Sequence, residues 1–89
     1  MNIIVFGRVQ GVGYRASALN QALSLGINGW VRNRLDGSVE ILAEGDKLSI
    51  AALIDWCKRG PRWASVDEVK VVDETPKGEF AGFTIRRDG

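Results

Sequence analysis

The stretch INGWVRNRLDGSVEILAE, residues 27–44, reads as two short strands joined by a tight turn. Ile27 and Val31 fall on one face of the first strand and Trp30 and Arg32 on the other. In the second, Val39, Ile41 and Ala43 alternate with Glu40, Leu42 and Glu44, the period-two pattern of half-buried strands. Between them lies Asp36-Gly37. Glycine accepts the positive φ that the turn requires, so this dipeptide is a strong local hairpin signal. Residues 27–33 and 39–44 are therefore expected to pair as an antiparallel hairpin.

Working outward, NIIVF (2–6) is a β-branched apolar run bounded by glycine, the mark of a buried strand. GRVQGVGYR (7–15) follows, and from Tyr14 to Leu25 the residues Ala18, Leu19, Ala22, Leu23 and Leu25 recur at helical spacing up to Gly26, a helix-ending glycine. Beyond the hairpin, Asp46 is placed to cap a second helix. Its Ile50, Leu53, Ile54 and Cys57 form an apolar stripe, and it ends before Gly60-Pro61. Val66 to Val72 reads as a fourth strand, with Val69 and Val71 facing one way and a bulge near Val66. Pro76-Lys77-Gly78 reads as a loop, and Phe83 and Ile85 mark a short fifth strand. The order β-α-β-β-α-β plus a terminal strand is the split-βαβ pattern of the α+β class. It predicts an antiparallel sheet with both helices on one face.

A chain of 89 residues, with 45% apolar and 26% charged residues, suits one soluble domain spanning 1–89. No apolar run approaches the roughly 20 residues that a membrane helix needs. The start, MNIIVFGRVQ, lacks a basic n-region and a small-residue cleavage site, and Cys57 has no partner cysteine, so a cytoplasmic location and no membrane association are expected. The net charge of +1 supplies no broad field for nucleic acid. The chain contains no histidine, which excludes His-based triads, Cys/His dyads and His-cluster metal sites.

A glycine-rich turn between a strand and a helix lets several N–H groups converge on one anion, aided by the helix dipole. Gly11, Gly13 and Ala16 happen to match G-x-G-x-x-A. The dinucleotide reading fails because Asp36, the acidic residue it needs, lies in the hairpin turn rather than at the end of a parallel strand. The Walker pattern fails for want of G-K-[ST]. Arg15, at the start of the helix, can instead fork two oxygens of a single phosphoryl group while backbone amides take the others.

Hydrolysis of a phosphate ester must expel an alkoxide, which usually recruits a general acid, a metal or a covalent nucleophile. An acyl phosphate expels a carboxylate, already a weak base, so charge stabilisation and a positioned water suffice. Asn33, whose amide both accepts and donates, is the candidate for holding that water; as a strand-end asparagine it equally suits a turn-forming role. Arg8 is a second-rank contact, since the strand end can turn it to solvent.

GRVQGVGYR followed by LGINGWVRNRLDGSVEILAEG closely resembles the acylphosphatase family, and the later GPRWASVDEV and FAGFTIRR resemble that family's ending. The resemblance implies a ferredoxin-like α/β sandwich with strand order 4-1-3-2 and the last strand at an edge. It implies hydrolysis of acyl phosphates to carboxylate and inorganic phosphate, without metal or organic cofactor. It further implies that Arg15 binds the phosphate, surrounded by the amides of Gln10, Gly11, Val12, Gly13 and Tyr14, and that Asn33 orients the attacking water. Gly13 departs from the family pattern, where an aromatic residue is common, as does Arg62-Trp63 after Pro61.

The alternatives are a non-catalytic phosphate or acyl-phosphate binding module and an RNA-binding sheet. The second is disfavoured by the absence of aromatics from SVEILAE and by the balanced charge. Trp30, Trp56 and Trp63 read as packing residues, Cys57 as an inert core residue, and the serines as poor nucleophiles without a base. The expected partner is a small-molecule acyl phosphate, bound by a monomer.

Overall fold

The computed structural model describes residues 1–74, 78 and 80–87. Its elements are β1 (Asn2–Arg8), α1 (Tyr14–Ser24), β2 (Asn28–Asn33), β3 (Val39–Glu44), α2 (Lys47–Arg59), β4 (Ser65–Val72) and β5 (Phe83–Ile85). Pro76 and Lys77 of the expected loop lie outside the described residues.

The strands form one sheet in the order β4-β1-β3-β2-β5. The hairpin holds in register, Asn33 opposite Val39 and Trp30 opposite Leu42. Ile3 and Val5 of β1, Val31 of β2, and Val39, Ile41 and Ala43 of β3 bury their side chains on one face. There they form a single core with Ala18 and Ala22 of α1 and Ile50, Leu53 and Cys57 of α2. Both helices thus cover the same face, as the single apolar stripe on each requires.

The sheet is mixed, which corrects the expectation of an antiparallel one: β5 runs parallel to β2, Gly29 beside Phe83 and Val31 beside Ile85. The reason is directional. β4 and β2 occupy opposite sides of the sheet and run in opposite senses, so a strand returning after β4 adds to β2 in the same sense as β2. Its register is held by Gly29 N–H to the Gly82 carbonyl (2.9 Å), Arg86 N–H to the Val31 carbonyl (2.8 Å) and Gly82 N–H to Asn28 Oδ1 (3.0 Å).

Local signals account for the element ends. Asp46 caps α2, its carboxylate accepting from Ser49 N–H at 2.9 Å and the Ser49 hydroxyl at 3.0 Å. The β4 bulge lies where Phe6 pairs with Glu68 but Gly7 with Val66, leaving Asp67 as the extra residue. A Cβ at Gly7 would come within 2.3 Å of the Ser65 carbonyl oxygen, so the bulged strand closes on β1 only at a glycine.

Helix α1 departs from its sequence reading. It ends at Ser24, with Leu25 as the C-cap and Gly26 in the left-handed region at φ 69. Its buried stripe is Tyr14, Ala18 and Ala22, while Leu23 is 56% exposed. Val71, on the edge strand β4, is likewise exposed.

Candidate active site

The site is built where β1 gives way to α1. Val9 is buried at the end of the strand, and the chain then turns through Gly11 (φ 74) and Gly13 (φ 78), both in the left-handed region that glycine enters without strain. Gly13 is itself the N-cap of α1, and no side chain caps that end. The first-turn amides of a helix have no intrahelical acceptor, so the loop and the start of α1 present N–H groups at the positive end of the helix dipole.

A cavity of about 250 Å³ opens there, lined by Gly11 and Gly13 of the loop, Tyr14, Arg15 and Ala16 of α1, Asn33 at the end of β2, and Val9 and Ile85. The fold therefore brings Arg15 and Asn33, far apart in sequence, to one cavity. Arg15 is half-buried. Asn33 is 9% exposed, and its Oδ1 is buried with no hydrogen-bond partner among the described residues. Such an amide oxygen, on the wall of a cavity, is placed to accept a hydrogen from a water there.

The remaining expected residues divide. Gln10 does not line the cavity; its side chain reaches across to the β2–β3 turn, where Nε2 donates to the carbonyls of Arg34 (2.7 Å) and Ser38 (2.9 Å). Val12 packs against the core. Arg8 is exposed and outside the cavity lining. Tyr14 contributes its backbone position, because its ring is buried at 1% exposure against Trp56, centroids 5.1 Å apart, and its hydroxyl donates to the Cys57 carbonyl at 2.9 Å. Ile85 went unnoticed in the sequence as a lining residue. A terminal strand three residues long carries no signal of which edge it joins.

Burial pushes the Tyr14 phenol well above its ordinary value and the Cys57 thiol up to about 11, so both stay protonated and neither is a nucleophile. Across the turn, the hydroxyl and N–H of Ser38 hold the Asp36 carboxylate below its usual range. That Asx turn fixes the loop following Asn33. Among the described residues no three Asp, Glu, Cys or His side chains gather into a metal-binding group. A larger cavity, about 510 Å³, lies elsewhere beside Met1, Ile50 and Ile54. Its charged side chains are Glu44, Lys47, Asp73 and Glu74, acidic on balance and so ill suited to an anion.

The acylphosphatase family model matches residues 1–85. The chain belongs to the acylphosphatase family. It is 51% identical over 88 residues to an acylphosphatase of Methylococcus capsulatus, covering 99% of this chain and 96% of that one. It superposes on the crystal structure of acylphosphatase from Bacillus subtilis with a TM-score of 0.92 at 38% identity, covering 96% of this chain and 94% of the other. Full-length HypF also contains the fold, with a TM-score of 0.88 at 32% identity over 98% of this chain but 12% of that one. The ferredoxin-like arrangement expected of an acylphosphatase is thus the arrangement found, with β5 as its parallel edge. No helix among the described residues is long and apolar enough to cross a membrane.

Proposed function

We propose that this acylphosphatase cleaves the carboxyl–phosphate bond with Arg15 and the 10–14 amides as the anion cradle and Asn33 as the holder of the attacking water. Arg15 forks two phosphoryl oxygens, and the amides take a third. Asn33 Oδ1 accepts a hydrogen from water and aims its lone pair at phosphorus. The water oxygen bonds to phosphorus as the bond to the acyl oxygen breaks. The electron pair leaves on the carboxylate, and a proton from the water passes to solvent. Because the leaving carboxylate is a weak base, no general acid is required.

The observation that carries this reading is the buried Asn33 Oδ1, without a partner among the described residues, in the cavity that Arg15 lines. Turnover of benzoyl phosphate by Arg15→Ala and Asn33→Ala tests it. Each is expected to fall at least about 100-fold, the scale of losing one transition-state hydrogen-bond partner. Undiminished activity in both sinks the site. A non-catalytic binding module, the second reading, predicts retained phosphate binding with negligible turnover in the unaltered protein. The proposal includes a monomer of one domain, in the cytosol, with no nucleic-acid partner and activity insensitive to EDTA; the charge of +1 supports the third of these.

A further inference from the structure

Resting on that reading of the site, we infer that Ile85 forms the contact for the acyl group and gives the enzyme a preference for acyl phosphates with an apolar acyl portion. The cavity's polar groups, Arg15, Asn33 and the amides, are all assigned to the phosphoryl group and the water. What is left of the lining is apolar. Val9 is 1% exposed, whereas Ala16 and Ile85 are exposed, so they form the solvent side of the apolar lining.

Ile85 is a large apolar side chain 41% exposed, and it is held on the helix-covered side of the sheet by its register beside Val31, two residues before Asn33. Its position is fixed at both ends of β5: Asn28 Oδ1 and the Gly29 N–H grip Gly82, and Arg86 N–H is bonded to the Val31 carbonyl. The next residue, Arg86, is drawn to the other face, its guanidinium 4.8 Å from the centre of the Trp30 ring. This neighbouring charge is thereby directed away from the acyl side of the cavity. At about 250 Å³ the cavity is larger than a phosphoryl group, which leaves space in it for the first atoms of an acyl portion.

Benzoyl phosphate and acetyl phosphate share the reacting group and differ in the apolar area beyond it. The kcat/KM ratio of benzoyl over acetyl phosphate should fall about five-fold in Ile85→Ala, through a rise in KM for benzoyl phosphate. Ile85→Leu should restore the ratio. Inhibition by inorganic phosphate, which has no acyl group, should keep its unaltered constant in both variants and reports that the cradle is intact. A ratio unmoved in Ile85→Ala, alongside the expected loss of turnover in Arg15→Ala, overturns the role of Ile85 alone. Full activity of Arg15→Ala and Asn33→Ala on both substrates overturns the site and this inference together.

Discussion

Gln10 Nε2 donates at 2.7 Å to the carbonyl of Arg34, the residue that follows Asn33. With its second bond to Ser38 at 2.9 Å, the same amide group ties the glycine loop to the β2–β3 turn. The loop carries the N–H groups proposed to bind the anion and the turn follows the asparagine proposed to hold the water, so this crosslink bears on their separation. Gln10→Ala removes both bonds and is expected to lower kcat for benzoyl phosphate about ten-fold while the protein stays folded, because small misplacements of reacting groups are costly. Gln10→Glu, which cannot donate from its carboxylate at neutral pH, should do at least as much damage. Steady-state kinetics with circular dichroism as a folding check would decide it; unaltered kcat in both variants rejects the crosslink as a positioning device.

Tyr14 serves the fold at the start of the same helix. Its hydroxyl caps the Cys57 carbonyl, one of the last carbonyls of α2, which have no intrahelical donor. Tyr14→Phe leaves that carbonyl unsatisfied and should cost about 1–2 kcal/mol in urea denaturation. Gly60 approaches the same ring: at φ 68, a Cβ there would lie 2.9 Å from Tyr14 Cε2. Gly60→Ala combines backbone strain with that clash and is expected to cost about 2 kcal/mol. In Gly60→Ala with Tyr14→Leu the penalty should be smaller than the sum, since the ring edge is gone.

How much of this could be read in advance follows the range of the interactions. Asp36-Gly37, the Asp46 cap and the Ile50–Cys57 stripe are local signals, and each element they predict is found. Arg15 and Asn33 are candidates by residue chemistry in a chain without histidine, the family resemblance chooses Asn33 over a plain turn former, and the fold puts both on one cavity. The side chain of Gln10 could not be read, because its acceptors are carbonyls 24 and 28 residues away, and a backbone carbonyl has no letter in a sequence. Ile85 depends on which edge β5 joins and in which sense, a property of strand order rather than of the strand. Leu23 matches the helical spacing yet stays exposed, because the narrow row of Tyr14, Ala18 and Ala22 is what meets the sheet.

Glu40 gives a pH dependence whose sign is determined. Burial acts to raise its pKa, but hydrogen bonds from Asn2 Nδ2 (2.9 Å) and Arg32 Nε (2.7 Å), with the charges of Arg32 and Arg34, hold the carboxyl below its ordinary value. A carboxyl with a folded pKa below its unfolded one stabilises the protein above the unfolded value, and that contribution is lost as pH falls through the folded value. Glu40→Gln should therefore be less stable at pH 7 by about 0.5–1 kcal/mol, a figure discounted for solvent screening. The gap should close as pH falls below the usual glutamate range. Urea midpoints of both proteins measured down to pH 3 would show it, and a gap that widens in acid contradicts the network.

Asn33 should set stability against activity. Its buried Oδ1 accepts no hydrogen bond from the described residues, so no protein contact of that oxygen holds the fold together and only water in the cavity is left to serve it. Leucine is close in size and has no polar atom to leave unsatisfied. Asn33→Leu is expected to gain about 1 kcal/mol, which raises the thermal midpoint by roughly 4–8 °C in a domain of this length. Turnover should fall at least about 100-fold, since nothing then orients the water. Both changes are needed together. A variant that loses activity and also melts lower points to a structural asparagine, whereas a hotter, inactive protein is one in which this oxygen is kept free of a protein partner for the reaction.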